Sequence, residues 1–265
     1  MINKIKKVAI RAVKKSGKML LREYKSFDRG TIKLKSHHEI LTRADLLSEE
    51  IIINEVKENF PTHGILSEEK GRMEGASDYL WIIDPVDGTT NFSMHNPLWS
   101  ISLAVAFKSG IILGIVYAPV LNELYIGELG RGAKLVSSVT PFRTGNKIKA
   151  SNIKGGKVLS TFCHGREEKY VRKAIKYYQY QKLHALDCRQ LGSAALELAY
   201  VACGRIESIM IPGANSWDVA AGVLLVREAG GWVTDFSGQE WNLDSIDMLA
   251  SNGRVHKEIL RVINR

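Results

Sequence analysis

Asp84 and Asp87 stand three residues apart at the end of an apolar run, in the segment Trp81-Ile82-Ile83-Asp84-Pro85-Val86-Asp87-Gly88-Thr89-Thr90-Asn91-Phe92. Two carboxylates held this close repel each other, and one takes up a proton unless a cation lies between them. Hard divalent cations with oxygen ligands, Mg2+ above all, meet that need. Pro85 restricts φ between the two acids, and Gly88 leaves space for a ligand to approach the backbone. Thr89 and Thr90 can then open a short helix whose first N–H groups face an anion. A bare DxxD would more simply cap a helix. The Pro, Gly and two Thr turn the balance towards a cation site.

Two further acidic positions could complete such a cluster. Glu68-Glu69 follows the apolar Ile65-Leu66, so a strand end could carry one of the pair inward, although a solvated charge run is the simpler reading of two glutamates. Trp217-Asp218 opens a helical pattern, where an aspartate is also an ordinary cap. The seven histidines show no metal-ligand spacing, and the His37-His38 pair is expected in a polar loop. Cys163, Cys188 and Cys203 form no CxxC and are expected to be free thiols in a reducing compartment.

The elements that must hold these groups follow from periodicity. Helices are predicted over residues 2–24, Leu46–Phe60, Glu167–Tyr178, Ser193–Ala202 and Trp217–Ala229, the last closed by Gly230-Gly231. Strands are predicted over Tyr79–Ile83, ended by Asp84-Pro85, and over Leu124–Ile126, Val158–Phe162 and Ile206–Ile211. Trp99–Phe107 and Ile111–Tyr117 read as an antiparallel hairpin joined by Lys108-Ser109-Gly110. The Ser/Thr/Gly/Lys-rich stretch Ser137–Gly156 reads as a linker. The expected class is α/β (α+β), layered, with an N-terminal half over 1–145 and a C-terminal half over 146–265.

Composition sets the outer bounds. The chain has 265 residues, 45% hydrophobic and 25% charged, which excludes a disordered chain. No window offers the roughly 20 uncharged apolar residues of a membrane span. The run Ile101–Val120 comes nearest and is broken by Lys108, Gly114 and Pro119. The N-terminus interleaves lysine with aliphatic residues and lacks the apolar core of a signal peptide, so a cytoplasmic protein is expected. Thirty-seven basic against 28 acidic residues give +9, compatible with nucleic acid, anionic lipid or a phosphorylated small molecule.

In combination and order, Glu68-Glu69, the Asp84–Phe92 block, and Trp217-Asp218-Val219-Ala220-Ala221-Gly222 with Glu228-Ala229-Gly230-Gly231 resemble the three signature motifs of the inositol monophosphatase family. The resemblance runs from the first helix through Gly192-Ser193-Ala194-Ala195 to the last motif. It implies a lithium-sensitive, Mg2+-dependent phosphatase with a layered αβαβα sandwich, commonly a homodimer. Glu68, Asp84 and the Val86 carbonyl would bind one Mg2+, Asp84, Asp87 and Asp218 a second, and a third, weaker ion would share Glu68. Thr89 and Asp45 would position the attacking water. The Gly88 and Thr89 N–H groups would hold the phosphate, with Asp87, Gly192, Ser193, Ala194 and Lys35 also at the substrate.

One position departs from the pattern. Family members that act on inositol carry a glutamate seven residues before the third-motif aspartate, and here that residue is Ile211. An apolar residue accepts no hydroxyl hydrogen bond, so inositol selectivity should weaken. Alternatively Pro212 and Gly213 reroute the loop, leaving Ile211 in the core and Asn215 or Ser216 at the substrate. Inositol monophosphate is the default substrate, followed by fructose 1,6-bisphosphate and a nucleotide 3′-phosphate. From another class, the fold could serve as a binding protein for RNA or a transcription complex.

Overall fold

The computed structural model describes residues 1–36, 39–136, 145–163, 165 and 167–264, with the backbone alone at residues 31, 33–36, 39 and 40. His37, His38 and the first eight residues of the Ser137–Gly145 stretch lie outside the described residues. The first predicted helix is α1 (Ile2–Ser26), with Ile5, Val8, Ala12, Val13 and Leu20 on its buried face. A ribbon of β1 (Lys33–Ser36) and β2 (Glu39–Leu41) follows. Next comes α2 (Arg43–Asn59), which begins ahead of the predicted Leu46 because Thr42 and Asp45 form a reciprocal capping box.

The chain then lays down β3 (Gly64–Ser67), β4 (Gly71–Met73), β5 (Tyr79–Asp87), the short α3 (Thr89–Ser93), β6 (Ser100–Phe107), β7 (Gly110–Ala118), β8 (Glu123–Glu128), β9 (Gly132–Val136) and β10 (Asn146–Lys147). These strands form an eight-stranded sheet in the order β10-β9-β8-β7-β6-β5-β3-β4. Its pairs are antiparallel except β3 with β5, and the predicted hairpin is β6–β7. Next follow β11 (Leu159–Phe162), α4 (Glu168–His184), β12 (Asp187–Arg189), α5 (Ala194–Ala202), β13 (Ser208–Pro212), α6 (Ser216–Glu228), β14 (Trp232–Thr234), β15 (Asp247–Ser251) and α7 (His256–Ile263). Their five-stranded sheet runs β12-β11-β13-β15-β14, with β11 parallel to both of its neighbours.

Three cores separate five layers, α-β-α-β-α. One face of the large sheet meets α1 and α2 through Trp81, Ile83, Leu103 and their neighbours. Its other face contributes Ile82, Ala104 and Ala106 to a core shared with α5, α6 and the second sheet. The outer face of that second sheet is covered by α4 and α7. Alternate residues of β5 and β6 therefore point into different cores, which is why these strands read as continuous apolar runs. The approach of α6 to the large sheet is close. A Cβ at Gly114 of β7 would lie 2.5 Å from the Ala221 carbonyl oxygen of α6.

Candidate active site: a cluster of buried carboxylates

The Asp84-Pro85 pair does not end β5, contrary to the sequence expectation. The strand continues to Asp87 with a register shift, so that Asp84 faces Ser102 and Asp87 faces Ser100 on β6. Three steps along β5 match two along β6, which is a bulge. In a regular strand, residues three apart point to opposite faces. The bulge brings both aspartates to the side shared by Ser100 and Ser102.

Asp87 is held by four donors. The Ser100 hydroxyl donates at 3.1 Å, the Ala194 and Ala195 N–H groups at 3.0 Å each, and the Ser193 hydroxyl also donates to it. Its pKa is nevertheless raised, because burial outweighs these bonds. Asp84 accepts from the Val86 N–H at 3.0 Å. Burial first, then the charges of Glu68, Asp87, Asp218 and Asp45, hold its carboxyl well above the ordinary range. Asp218 sits in the first turn of α6 and accepts from the Asn215 N–H and side-chain amide at 3.0 and 3.1 Å. Burial pushes it up to about 7 against those bonds, with Glu68 and Asp87 adding to the effect. Its bland reading as a helix-start residue is thus also true, and it is a member of the cluster as well.

Glu68 follows β3 directly, and its N–H donates to the Ile83 carbonyl at 3.2 Å. Among the described residues no three acidic, imidazole or thiolate groups already converge as a finished set of metal ligands. The donor chemistry still fits a hard cation. Glu68, Asp87, Asp218 and Asp45 all bear on the buried Asp84, carboxylate oxygens suit Mg2+ rather than a soft metal, and a cation would offset the repulsion that adds to burial in raising Asp84 and Asp218.

Gly88 caps α3 in the left-handed region at φ 90°, and a Cβ there would lie 2.9 Å from the Gly192 carbonyl oxygen. The motif glycine of the first half and the turn of the second half thus touch backbone to backbone. Thr89 opens α3 as predicted, with its hydroxyl 3.2 Å from Asp45 Oδ1 and 3.0 Å from the Val86 carbonyl. The other oxygen of Asp45 accepts from the Thr42 N–H and hydroxyl, at 2.8 and 2.5 Å. The capping box that starts α2 therefore also orients Asp45 towards Thr89.

A cleft of about 680 Å3 opens over the cluster and is lined by Asp87, Asp218, Gly192, Ala194, Ile211 and Asn215 among others. Ser193 lies beneath it, bonded to Asp87. Lys35 belongs to β1, and its side chain lies outside the described residues. Ile211 is 4% exposed, at the cleft wall and in the central core at once. The Ser216 hydroxyl turns away to the Leu243 carbonyl, whereas Asn215 reaches the cleft. The three cysteines are free, as expected, and burial raises the thiol pKa of each.

Sequence reasoning missed Ser100, Asn91, Glu49 and Glu197. Asn91 donates to the Leu98 and Leu191 carbonyls, tying α3 to the turn before Gly192. Glu197 accepts from the Gly192 and Ser193 N–H groups at 2.9 and 3.4 Å, and burial pushes it up to about 8. A lone glutamate inside Ala-Ala-Leu-Glu-Leu-Ala was the available signal. Ser100 carried none.

A model of the inositol monophosphatase family matches residues 1–265. The chain belongs to this family. It is 38% identical over 263 residues to "Nus factor SuhB" of Pasteurella multocida, covering 99% of this chain and 96% of the relative. It is 37% identical over 256 residues to "Fructose-1,6-bisphosphatase/inositol-1-monophosphatase" of Thermotoga maritima, covering 97% and 94%. The solved IMPase structure from Thermotoga maritima superposes with a TM-score of 0.87 at 36% identity, covering 100% of this chain and 97% of that one. The Bartonella henselae suhB structure gives 0.90 at 28% identity, covering 98% of both. The layered sandwich expected from the sequence is the inositol monophosphatase fold. No helix among the described residues is long and apolar enough to cross a membrane.

Proposed function

We propose that this chain is a Mg2+-dependent phosphomonoesterase whose first substrate is inositol monophosphate, with fructose 1,6-bisphosphate and a nucleotide 3′-phosphate next. One observation carries the reading: the β5 bulge turns Asp84 and Asp87 to the same side, where the charges of Glu68 and Asp87 bear on both Asp84 and Asp218. Glu68, Asp84 and the Val86 carbonyl would hold one Mg2+, Asp84, Asp87 and Asp218 a second, and Glu68 a share of a third. The Val86 oxygen has two lone pairs, so its bond from Thr89 leaves one available. Bound there, Mg2+ supplies a lowered pKa for water and charge neutralisation for an in-line displacement at phosphorus.

The chain's own groups do the rest. The single Thr89 hydroxyl proton lies between Asp45 and the Val86 carbonyl, which leaves the threonine lone pairs to orient the attacking water. The Gly88 and Thr89 N–H groups receive the phosphate at the start of α3. Gly192, Ser193 and Ala194 flank the alcohol part of the substrate, and Lys35 attracts its charge. Ile211 gives that pocket an apolar wall, leaving Asn215 as the polar group nearby. Water adds to phosphorus, the ester P–O bond breaks, and alcohol and inorganic phosphate leave. The same reading places the protein in the cytoplasm as a homodimer. Phosphate release from the three substrates, with and without Mg2+, tests it. Absence of turnover on all three at millimolar Mg2+ would sink it.

A second reading draws on the relatives named "Nus factor SuhB" and on the net charge of +9: the same fold binds RNA or a transcription complex. Contacts to phosphates weaken steeply with salt. RNA retention that falls with salt in a chain without phosphatase activity would favour this reading over the first.

A further inference from the structure

One face of α2 reaches three separate parts of the carboxylate cluster. Asp45 meets Thr89 at 3.2 Å, the Ser48 hydroxyl donates to the Pro85 carbonyl at 2.8 Å, and Glu49 Oε1 accepts from the Glu69 and Lys70 N–H groups at 3.1 Å each. Positions 45, 48 and 49 are neighbours on a helix surface at the i, i+3, i+4 spacing. The first two act on the bulged end of β5 and the start of α3. Glu49 acts on the turn that carries Glu68.

Glu49 is fully buried at 0% exposure, and its second oxygen, Oε2, has no hydrogen-bond partner among the described residues. Burying a half-satisfied carboxylate is costly, and a site that needed only packing would be better served by an apolar side chain. Its two bonds are to consecutive N–H groups just past Glu68, and on the other side the Glu68 N–H is tied to Ile83 of β5. The backbone at Glu68 is therefore pinned on both flanks, by the strand that carries Asp84 and by the helix that carries Asp45.

We propose that Glu49 is a positioning residue that fixes the 68–70 turn so that the Glu68 carboxylate meets the divalent cation. The inference rests on the reading of Glu68 as a Mg2+ ligand. Outer partners that orient a ligand typically contribute about 10- to 100-fold in metal affinity. What the turn requires is an acceptor at Oε1, and Gln supplies that as well as Glu does.

Mn2+ titration of the full chain by calorimetry, alongside phosphate release, tests the inference with Glu49→Gln, Glu49→Leu, Glu49→Asp and Glu68→Gln. Glu49→Gln should bind Mn2+ within about twofold of the parent, and Glu49→Leu at least about tenfold more weakly. Glu49→Asp keeps the charge but falls one methylene short, so it should weaken too, and it decides alone if the leucine variant does not fold. Leucine and aspartate variants that bind like the parent, while Glu68→Gln binds weakly, would overturn the positioning role. Loss in Glu49→Gln equal to that in Glu49→Leu would overturn it as well, since charge rather than an acceptor would then be at work. Unchanged Mn2+ binding in Glu68→Gln would instead overturn the reading of Glu68 as a ligand.

Discussion

Thr89 on α3 and Asp45 on α2, 44 residues apart in sequence, are joined by a 3.2 Å hydrogen bond from the threonine hydroxyl to Oδ1. That hydroxyl has one proton and a second acceptor in the Val86 carbonyl at 3.0 Å, so its lone pairs are turned away from both. Thr89→Val should lower kcat about a hundred- to ten-thousandfold with little change in KM, the range for a lost proton-handling group. Thr89→Ser should keep most of the activity. A valine variant within threefold of the parent kcat would remove Thr89 from the mechanism.

Asp84 takes the charge of four other acids, so Asp84→Asn should abolish most turnover while leaving the metal-free fold as stable or slightly more so. Mg2+ binding to the native state alone raises stability with concentration. Thermal melts should therefore show Mg2+ raising Tm in the parent and scarcely in the variant. Near-native turnover, or an asparagine variant that melts lower without metal, would contradict the assignment.

Ile211→Glu places a carboxylate at a position 4% exposed and packed in the central core. The expected result is a loss of about 2 kcal/mol or more in urea unfolding. The ratio of kcat/KM for inositol monophosphate to that for a simple phosphomonoester should stay unchanged. A rise of about tenfold in that ratio would show the carboxylate accepting a substrate hydroxyl instead.

His256 is 1% exposed, with its ring nitrogens 2.9 Å from the Ser251 and Thr234 hydroxyl oxygens, and burial pushes its pKa from 6.5 down to about 4. The unfolded chain takes up this proton more readily than the folded one. The stability is present above pH 6.5 and is lost as the pH falls towards 4. The full effect is about 3 kcal/mol at about 1.4 kcal/mol per unit. Urea unfolding at pH 7 and pH 4.5 should show His256→Gln losing roughly 2 kcal/mol less than the parent between the two. Equal losses would show that another group sets the acid limb.

Local signals made much of the site legible. The strand, proline, glycine and threonines of residues 79–92 lie in one segment, so the carboxylate pair and the short helix behind it could be read directly. The bulge could not, because it depends on Ser100 and Ser102 across the ladder. The four donors to Asp87 come from residues 13 to 108 positions away, and no local pattern announces them. Asp45 was placed by the family resemblance, although Thr42-x-x-Asp45 is itself a capping signature that would have started α2 at the right residue. α4 runs on to His184, past the predicted Tyr178, because Gln181 extends its buried side. The layered class followed from the alternation of elements. That two helices would be sandwiched between two sheets did not, since both faces of β5 and β6 are apolar.

Gly114 on β7 meets Ala221 on α6 with no room for a methyl group between them, and α6 is also the helix that carries Asp218. Asp84 and Asp87 ride on the sheet, Asp218 on the layer above it. The distance between them is therefore a thickness, set by backbone touching backbone three residues along the helix from the acid. Such a site has a stop built into its frame: the layers close until the glycine contact halts them, and the three aspartates come to rest at that gauge. A single added carbon at position 114 would act as a shim. It would shift Asp218 relative to Asp84 and Asp87, and with it the site proposed for the cation, although no acidic residue had been replaced.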